Sequence, residues 1–284
     1  MALRISLQRE TTLPLDFSGI TPDPLRSLSS RKIERLPILC GNELLPLAEV
    51  CKISGDAGDG CLELSGNLAH AHGIGAGMSS GQIHLDGNAG RNVGLGMRGG
   101  EIHISGDGGD DLGCEMRGGT IRVAGSVGDR LGGARCGASL GMNGGVILVD
   151  GNAGLEVGLR MRRGLIAIGG NAGSLVGHGM LAGTIVVYGN CGAHAGVGMK
   201  RGTLFLLGAP CEPLPATFRF GSVCTSPILP LTEKTLIRQG FHPPGLNAPG
   251  RYDLYHGDFL SLGRGEVVRR VAGGGNGTGT VPAN

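Results

Sequence analysis

Along the middle of the chain, apolar and polar residues alternate in short runs: EIHIS at 101–105, TIRVA at 120–124, VILVD at 146–150, LIAIG at 165–169, TIVVY at 184–188 and TLFLL at 203–207. A period of two sends successive side chains to opposite faces, so each run predicts a short β-strand. The segments between the runs are rich in glycine and show no 3.6-residue periodicity, which predicts tight turns. The pattern recurs every nineteen residues, with units starting at Gly87, Gly106, Gly125, Gly151, Gly170 and Gly189. Each unit has Gly at its first, fourth and eighth positions, Met at the eleventh, Gly at the fourteenth, and aliphatics at the sixteenth and eighteenth. A unit starting at Gly66 fits with two extra residues, and the Gly125 unit carries seven between Gly132 and Met142.

Apart from Met1, every methionine falls in one column: Met78, Met97, Met116, Met142, Met161, Met180 and Met199. Methionine fills irregular interior space, so this column reads as a stacked core ladder. A nineteen-residue unit with one short strand cannot bury its apolar face alone, whereas stacked units can, with strands about 4.8 Å apart. The expected fold is therefore all-β: a right-handed parallel β-helix of about seven coils, with handedness following the rule for parallel crossovers. The polar second position (Asn67, Asn88, Asp107, Ser126, Asn152, Asn171, Asn190) reads as a turn ladder, with Asn tolerating left-handed backbone and bonding along the stack.

Two outward columns bear on function. One reads Glu63, His84, His103, Arg122, Leu148, Ala167, Val186, Phe205, polar first and then apolar. Its apolar half calls for a cover, from the C-terminal segment or from another subunit. The other follows the methionines: Ser79, Arg98, Arg117, Asn143, Arg162, Leu181, Lys200, with Arg163 and Arg201 beside it. It reads as a solvated basic strip or as a docking face for an acidic partner or polyanion.

Composition narrows the classes. Glycine contributes 58 of 284 residues without a Gly-X-Y period, which excludes collagen. With no Trp, 3 Tyr and 6 Phe, stacking platforms for single-stranded nucleic acid are not expected, and the formal charge of +2 gives no global pull on nucleic acid or membrane. No apolar leader and no run of about 18 apolar residues is present, so a soluble cytoplasmic protein is expected. The eight cysteines form no C-x-x-C pair or Cys/His ligand spacing, so no metal site is expected. Gly94–Gly99 matches G-x-G-x-x-G but lies inside a repeat with a strand after it, not between a strand and a helix, so it is not a dinucleotide fingerprint. His84 and His103 occupy equivalent positions without a fixed carboxylate or thiolate partner and read as a solvated or interface pair. No outward cluster of carboxylates and aromatics supports a polysaccharide-cleaving groove.

The units GNAGRNVG, GNAGLEVG, GNAGSLVG and GNCGAHAG resemble the C-type chain of formylmethanofuran dehydrogenase and, more distantly, the C-terminal domain of the glutamate synthase large chain. The resemblance covers about residues 55–208 and implies a noncatalytic scaffold working with A-, B- and D-type subunits, with catalysis and metal in those other chains. Arginine outnumbers lysine 21 to 4, the bias of a GC-rich bacterial genome. It favours the bacterial formyltransferase/hydrolase complex, which passes formyl from formyl-tetrahydromethanopterin to a methanofuran-type cofactor and releases formate, over a molybdenum or tungsten dehydrogenase. A glutamate-synthase-like spacer domain is the remaining alternative. The resemblance implies no catalytic residue and no cofactor held by this chain alone. It makes Arg98, Arg117, Arg162 and Lys200 a candidate strip for the polyglutamate tail of the furan cofactor or for a partner. The expected division is a capping segment over 1–54, the β-helix over 55–208, a proline-rich extension over 209–270 covering the helix or a partner, and a disordered tail over 271–284.

Overall fold

The computed structural model describes residues 2–8, 12–208, 212–225, 228–246 and 250–271. The expected tail, apart from Val271, lies outside them. The chain is built mostly of strands with a few short helices. Before the repeats come β1 (Leu3–Leu7), β2 (Leu15–Asp16), α1 (Pro22–Leu25), α2 (Ser30–Glu34), β3 (Pro37–Cys40), β4 (Glu43–Pro46), α3 (Leu47–Val50) and β5 (Cys51–Ser54). The repeats supply β6 (Cys61–Ser65), β7 (Ala71–His72), β8 (Gln82–Asp86), β9 (Glu101–Ile104), β10 (Thr120–Val123), β11 (Asn143–Val149), β12 (Arg163–Ile168), β13 (Thr184–Val187) and β14 (Arg201–Leu206). After them come β15 (Arg219–Cys224), α4 (Ile228–Arg238), β16 (Tyr252–Gly257) and β17 (Arg264–Arg270).

The main sheet has 13 strands in the order β15-β16-β17-β14-β13-β12-β11-β10-β9-β8-β6-β1-β5. From β17 to β1 all neighbours are parallel, and each repeat strand pairs with its counterpart one unit on, as in Ile83 with Ile102 and Ile102 with Ile121. A second parallel ladder runs through the third position of each unit: Ala89, Gly108, Val127, Ala153, Ala172 and Cys191. The two ladders enclose the methionine column, every member of which is fully buried together with the inward aliphatics of the strands. A smaller sheet, β4-β3-β2-β7, joins the N-terminal segment to the first repeat.

The spacing of Met and Gly has a direct steric origin. A Cβ on Gly119 would lie 2.7 Å from Met97 Cε and 2.6 Å from the Gly100 carbonyl oxygen, and the backbone there has φ +89. The fourteenth position is thus the floor onto which the preceding unit's methionine packs, in a conformation that side chains disfavour.

Both ends are closed by strands from outside the repeats. Leu3 and Ile5 of β1 pair with Leu62 and Leu64, and Leu204 and Leu206 of β14 pair with Val267 and Arg269 of β17. The segment Arg264-Gly265-Glu266-Val267 takes the place of a further repeat strand, and Gly265 receives the side chain of Met199 as Gly119 receives Met97. The outward row Leu148, Ala167, Val186 and Phe205 is buried beneath Leu229 and Leu236 of α4, Phe241, Tyr252 and Val268.

The second-position ladder bonds along the stack as expected, but without the expected left-handed backbone. Asn88 Oδ1 accepts the Asp107 N–H at 2.8 Å, Asp107 Oδ1 that of Ser126 at 2.7 Å, and Asn152 Oδ1 that of Asn171 at 2.8 Å. The left-handed non-glycine residues are instead those of the sixth position (Asn92, Asp111, Arg130, Glu156, Leu175 and His194), together with Glu115 and Arg160 at the tenth. The second position keeps ordinary backbone because its side chain is committed to the next unit's amide.

Candidate functional site

The expected basic strip forms a stacked column in the backbone. Arg98, Arg117 and Lys200 each donate their backbone N–H to the methionine carbonyl of the preceding unit at 2.7 Å (Met78, Met97 and Met180), and Arg162 does so to Met142 at 2.8 Å. Asn143 and Leu181 make the same bond at the intervening positions. The structure therefore places Arg98 beside Arg117, but separates Arg117 from Arg162 by Asn143, and Arg162 from Lys200 by Leu181. All four side chains are exposed. None is ion-paired to another of the described residues.

The column's first member, Ser79, is hydrogen-bonded to the N-terminal segment. The Asp23 carboxylate, on α1, accepts the Ser79 N–H at 2.9 Å and the Ser79 and Ser80 hydroxyls at 2.7 Å each. Partial burial pushes the Asp23 carboxyl up, but these bonds together outweigh it and hold its pKa below the ordinary carboxylate value. The N-terminal segment is thus clamped onto the start of the strip.

The polar half of the outward row forms a groove of about 470 Å³ on the face of β1, β6, β8, β9 and β10. Parallel register aligns Arg4, Glu63, His84, His103 and Arg122 across five neighbouring strands. The His84 and His103 rings stack with centroids 5.1 Å apart and an interplanar angle of 15°. His103 Nε2 lies 3.5 Å from Glu101 Oε2, so one carboxylate does face the pair, supplied two residues earlier on the same strand face. At one end Arg4 Nε donates to Glu63 Oε2 at 2.7 Å, and at the other Arg122 lies 3.2 Å from Asp150 and donates to the Gly240 carbonyl at 2.6 Å. Arg122 therefore ties the C-terminal cover to this face. Arg4 was not legible as a groove residue, because only the tertiary register of β1 brings it beside Glu63; the alternation in LRISL was the available signal.

The groove is lined by charged, imidazole and hydroxyl side chains. Among the described residues no hydrogen bond joins either imidazole to a hydroxyl or thiol, the pairing that activates a nucleophile. Nor do they contain a group of three or more His, Cys, Asp and Glu placed to hold a metal ion. Burial raises the Cys114 thiol's pKa, with Asp111 beside it adding to the effect, and burial pushes Cys51 up to about 12, so neither is poised as a thiolate. No helix among the described residues is long and apolar enough to cross a membrane.

Residues 58–217 match the GXGXG motif family. The chain belongs to that family. It is similar to a chain of the formyltransferase/hydrolase complex (FhcABCD) from Methylorubrum extorquens, solved with methylofuran. That likeness has 34% sequence identity and a TM-score of 0.88, and covers 94% of this chain and 99% of the other. It is also 34% identical over 85 residues to the C-type chain of the molybdenum-containing formylmethanofuran dehydrogenase 1 of Methanosarcina barkeri (strain Fusaro / DSM 804). That match spans 28% of this chain and 28% of the curated relative. Both relatives are parts of multisubunit enzymes, and the resemblance to the C-type chain read from the repeats is shown by these matches.

Proposed function

We propose that this chain is the noncatalytic C-type scaffold of a cytoplasmic formyltransferase/hydrolase complex in one-carbon metabolism. In this reading A-, B- and D-type partners carry out formyl transfer from formyl-tetrahydromethanopterin to a methanofuran-type cofactor and the release of formate. The observation that carries the reading is the likeness over 94% of the chain to a component of such a complex. In support, the described surface offers a polar groove and exposed cations without ion-pair partners among the described residues. The repeats are read as coils of a right-handed parallel β-helix, with residues 1–54 and 209–270 as its capping segments. Such a rod, stiffened by two continuous ladders, would hold partner subunits at fixed separations.

The furan cofactor's acidic tail has a chemically suitable counterpart in Arg98, Arg117, Arg162 and Lys200, which are exposed cations without ion-pair partners among the described residues. Their interruption at Asn143 and Leu181 favours intermittent contacts over one continuous track. Replacing all four with Gln is expected to lower assembly or turnover of the complex while the isolated chain melts at its normal temperature; unchanged assembly and turnover would remove this role.

Native capture of the tagged chain from its host, with formate release assayed on the eluate and on the chain alone, tests the main reading. Activity that follows a formyltransferase and a metallohydrolase is the expected result, and a chain that comes down alone overturns it. The similarity to the Methanosarcina barkeri protein supports a second reading, the redox complex. An eluate that oxidises formylmethanofuran with an electron acceptor and contains molybdenum or tungsten would select it.

A further inference from the structure

We infer that the turn joining β16 to β17, with the cations around it, is the docking site for an acidic, partly apolar segment of a neighbouring subunit. This inference rests on the scaffold reading above and gives the partner a place to bind.

Three large apolar side chains crowd one turn of six residues and face solvent: Phe259 is 52% exposed, Leu260 85% and Leu262 54%. Scattered single apolar residues are normal on a surface, whereas a contiguous group of this kind marks an interaction site. The turn is also held firmly. The Asp258 carboxylate accepts the Gly198 N–H at 3.0 Å and the Leu260 N–H at 2.8 Å, and Ser261 Oγ donates to the Gly198 carbonyl at 3.2 Å. A surface already ordered before a partner arrives loses little conformational entropy on binding.

These anchors bring the turn against the positive end of the strip. Gly198 and Met199 lead directly into Lys200 and Arg201, and Gly263 leads into Arg264. Arg201 and Arg264 are direct partners across the β14–β17 pairing, about one strand spacing of 4.8 Å apart. All three cations are exposed, and none is ion-paired to another described residue. A fourth, Arg219, lies with its guanidinium 5.4 Å from the centre of the Phe259 ring. Like charges on adjacent strands repel, and an anion lying between them relieves that repulsion.

Cations surrounding an apolar tip select the chemistry of the occupant. Its complement is a segment with Leu- or Phe-type anchors flanked by Asp or Glu. A second copy of this chain is a poor fit, because a two-fold contact at the tip would bring Arg201 and Arg264 against their own equivalents.

The test is co-expression of the tagged chain with the A-, B- and D-type subunits, followed by measurement of partner retained at rising NaCl. Wild-type retention is expected to fall with salt. Leu260→Asp, and separately the pair Arg201→Glu and Arg264→Glu, are expected to lose at least tenfold of it, while the free variants melt at the wild-type temperature. Arg201→Lys with Arg264→Lys is expected to keep it, since the sign of the charge is what matters. Retention by the folded charge-reversed and Leu260→Asp variants equal to wild type overturns the docking site and leaves the scaffold reading standing. Wild-type chain that retains no partner overturns both. A wild-type dimer of the free chain that Leu260→Asp dissolves overturns the assigned occupant in favour of a second copy.

Discussion

At the scale of single residues, the fold depends on groups that reach from one repeat to the next. Asn88, Asp107 and Asn152 each satisfy a backbone amide of the following unit, and Met97 packs onto Gly119. Asp23 does the equivalent for the N-terminal segment, with three donors converging on one carboxylate. Because its pKa in the fold lies below the ordinary value, the unfolded chain binds more protons as pH falls, so this contribution is present at neutral pH and lost in acid. Asp23→Asn is expected to cost about 1–2 kcal/mol at pH 7, at the low end for hydrogen bonds to a charged group because the site is partly exposed to solvent. In denaturant melts, the gap from wild type should close as pH falls below the unfolded carboxylate's pKa of about 3.9. A gap of the same size at pH 7 and pH 3 would refute that account. The methionine column and the basic strip were legible because the same residue type returns at a fixed interval. The Asp23 clamp was not legible, since its partners lie 56 and 57 positions away and no local pattern links them.

At the scale of elements, α4 covers the row that the alternating pattern left apolar on its outward side. Leu236 is fully buried against that row. Leu236→Ala is expected to cost about 2–5 kcal/mol, as large-to-small changes in packed interiors do. The loss should fall first on the cover, so limited proteolysis should cut near α4 while the repeat strands stay intact; cutting that begins within 87–207 would show that the cover is not a separate layer. The need for such a cover could be read from Leu148, Val186 and Phe205, but its form could not, because Pro230 sits inside the helix that provides it. Strand β17 was missed for another reason. Its Arg264-Gly265-Glu266-Val267 repeats the pattern of Arg201-Gly202-Thr203-Leu204, but it has no methionine of its own and lies far outside the nineteen-residue register.

At the scale of the whole molecule, ten parallel strands are bounded by antiparallel ones, β5 at one end and the β16–β15 pair at the other. An uncapped end of such a stack presents a row of free amides and carbonyls to any other strand. Ending the chain at Gly208 removes β17, α4 and the cover together, leaving β14 as an open edge beside the bare face of Phe205. Light scattering should then show concentration-dependent association that the full chain lacks; a truncated chain that stays monomeric at the same concentration would show that the edge needs no cap. The position of β17 also bears on how the protein is made. As the chain leaves the ribosome, each finished repeat can settle on the one before it, so the growing stack always carries its raw edge at the newest end. The segment that seals the edge is translated more than fifty residues after the strand it covers, so nascent chains pass through a long interval in which they can pair with one another.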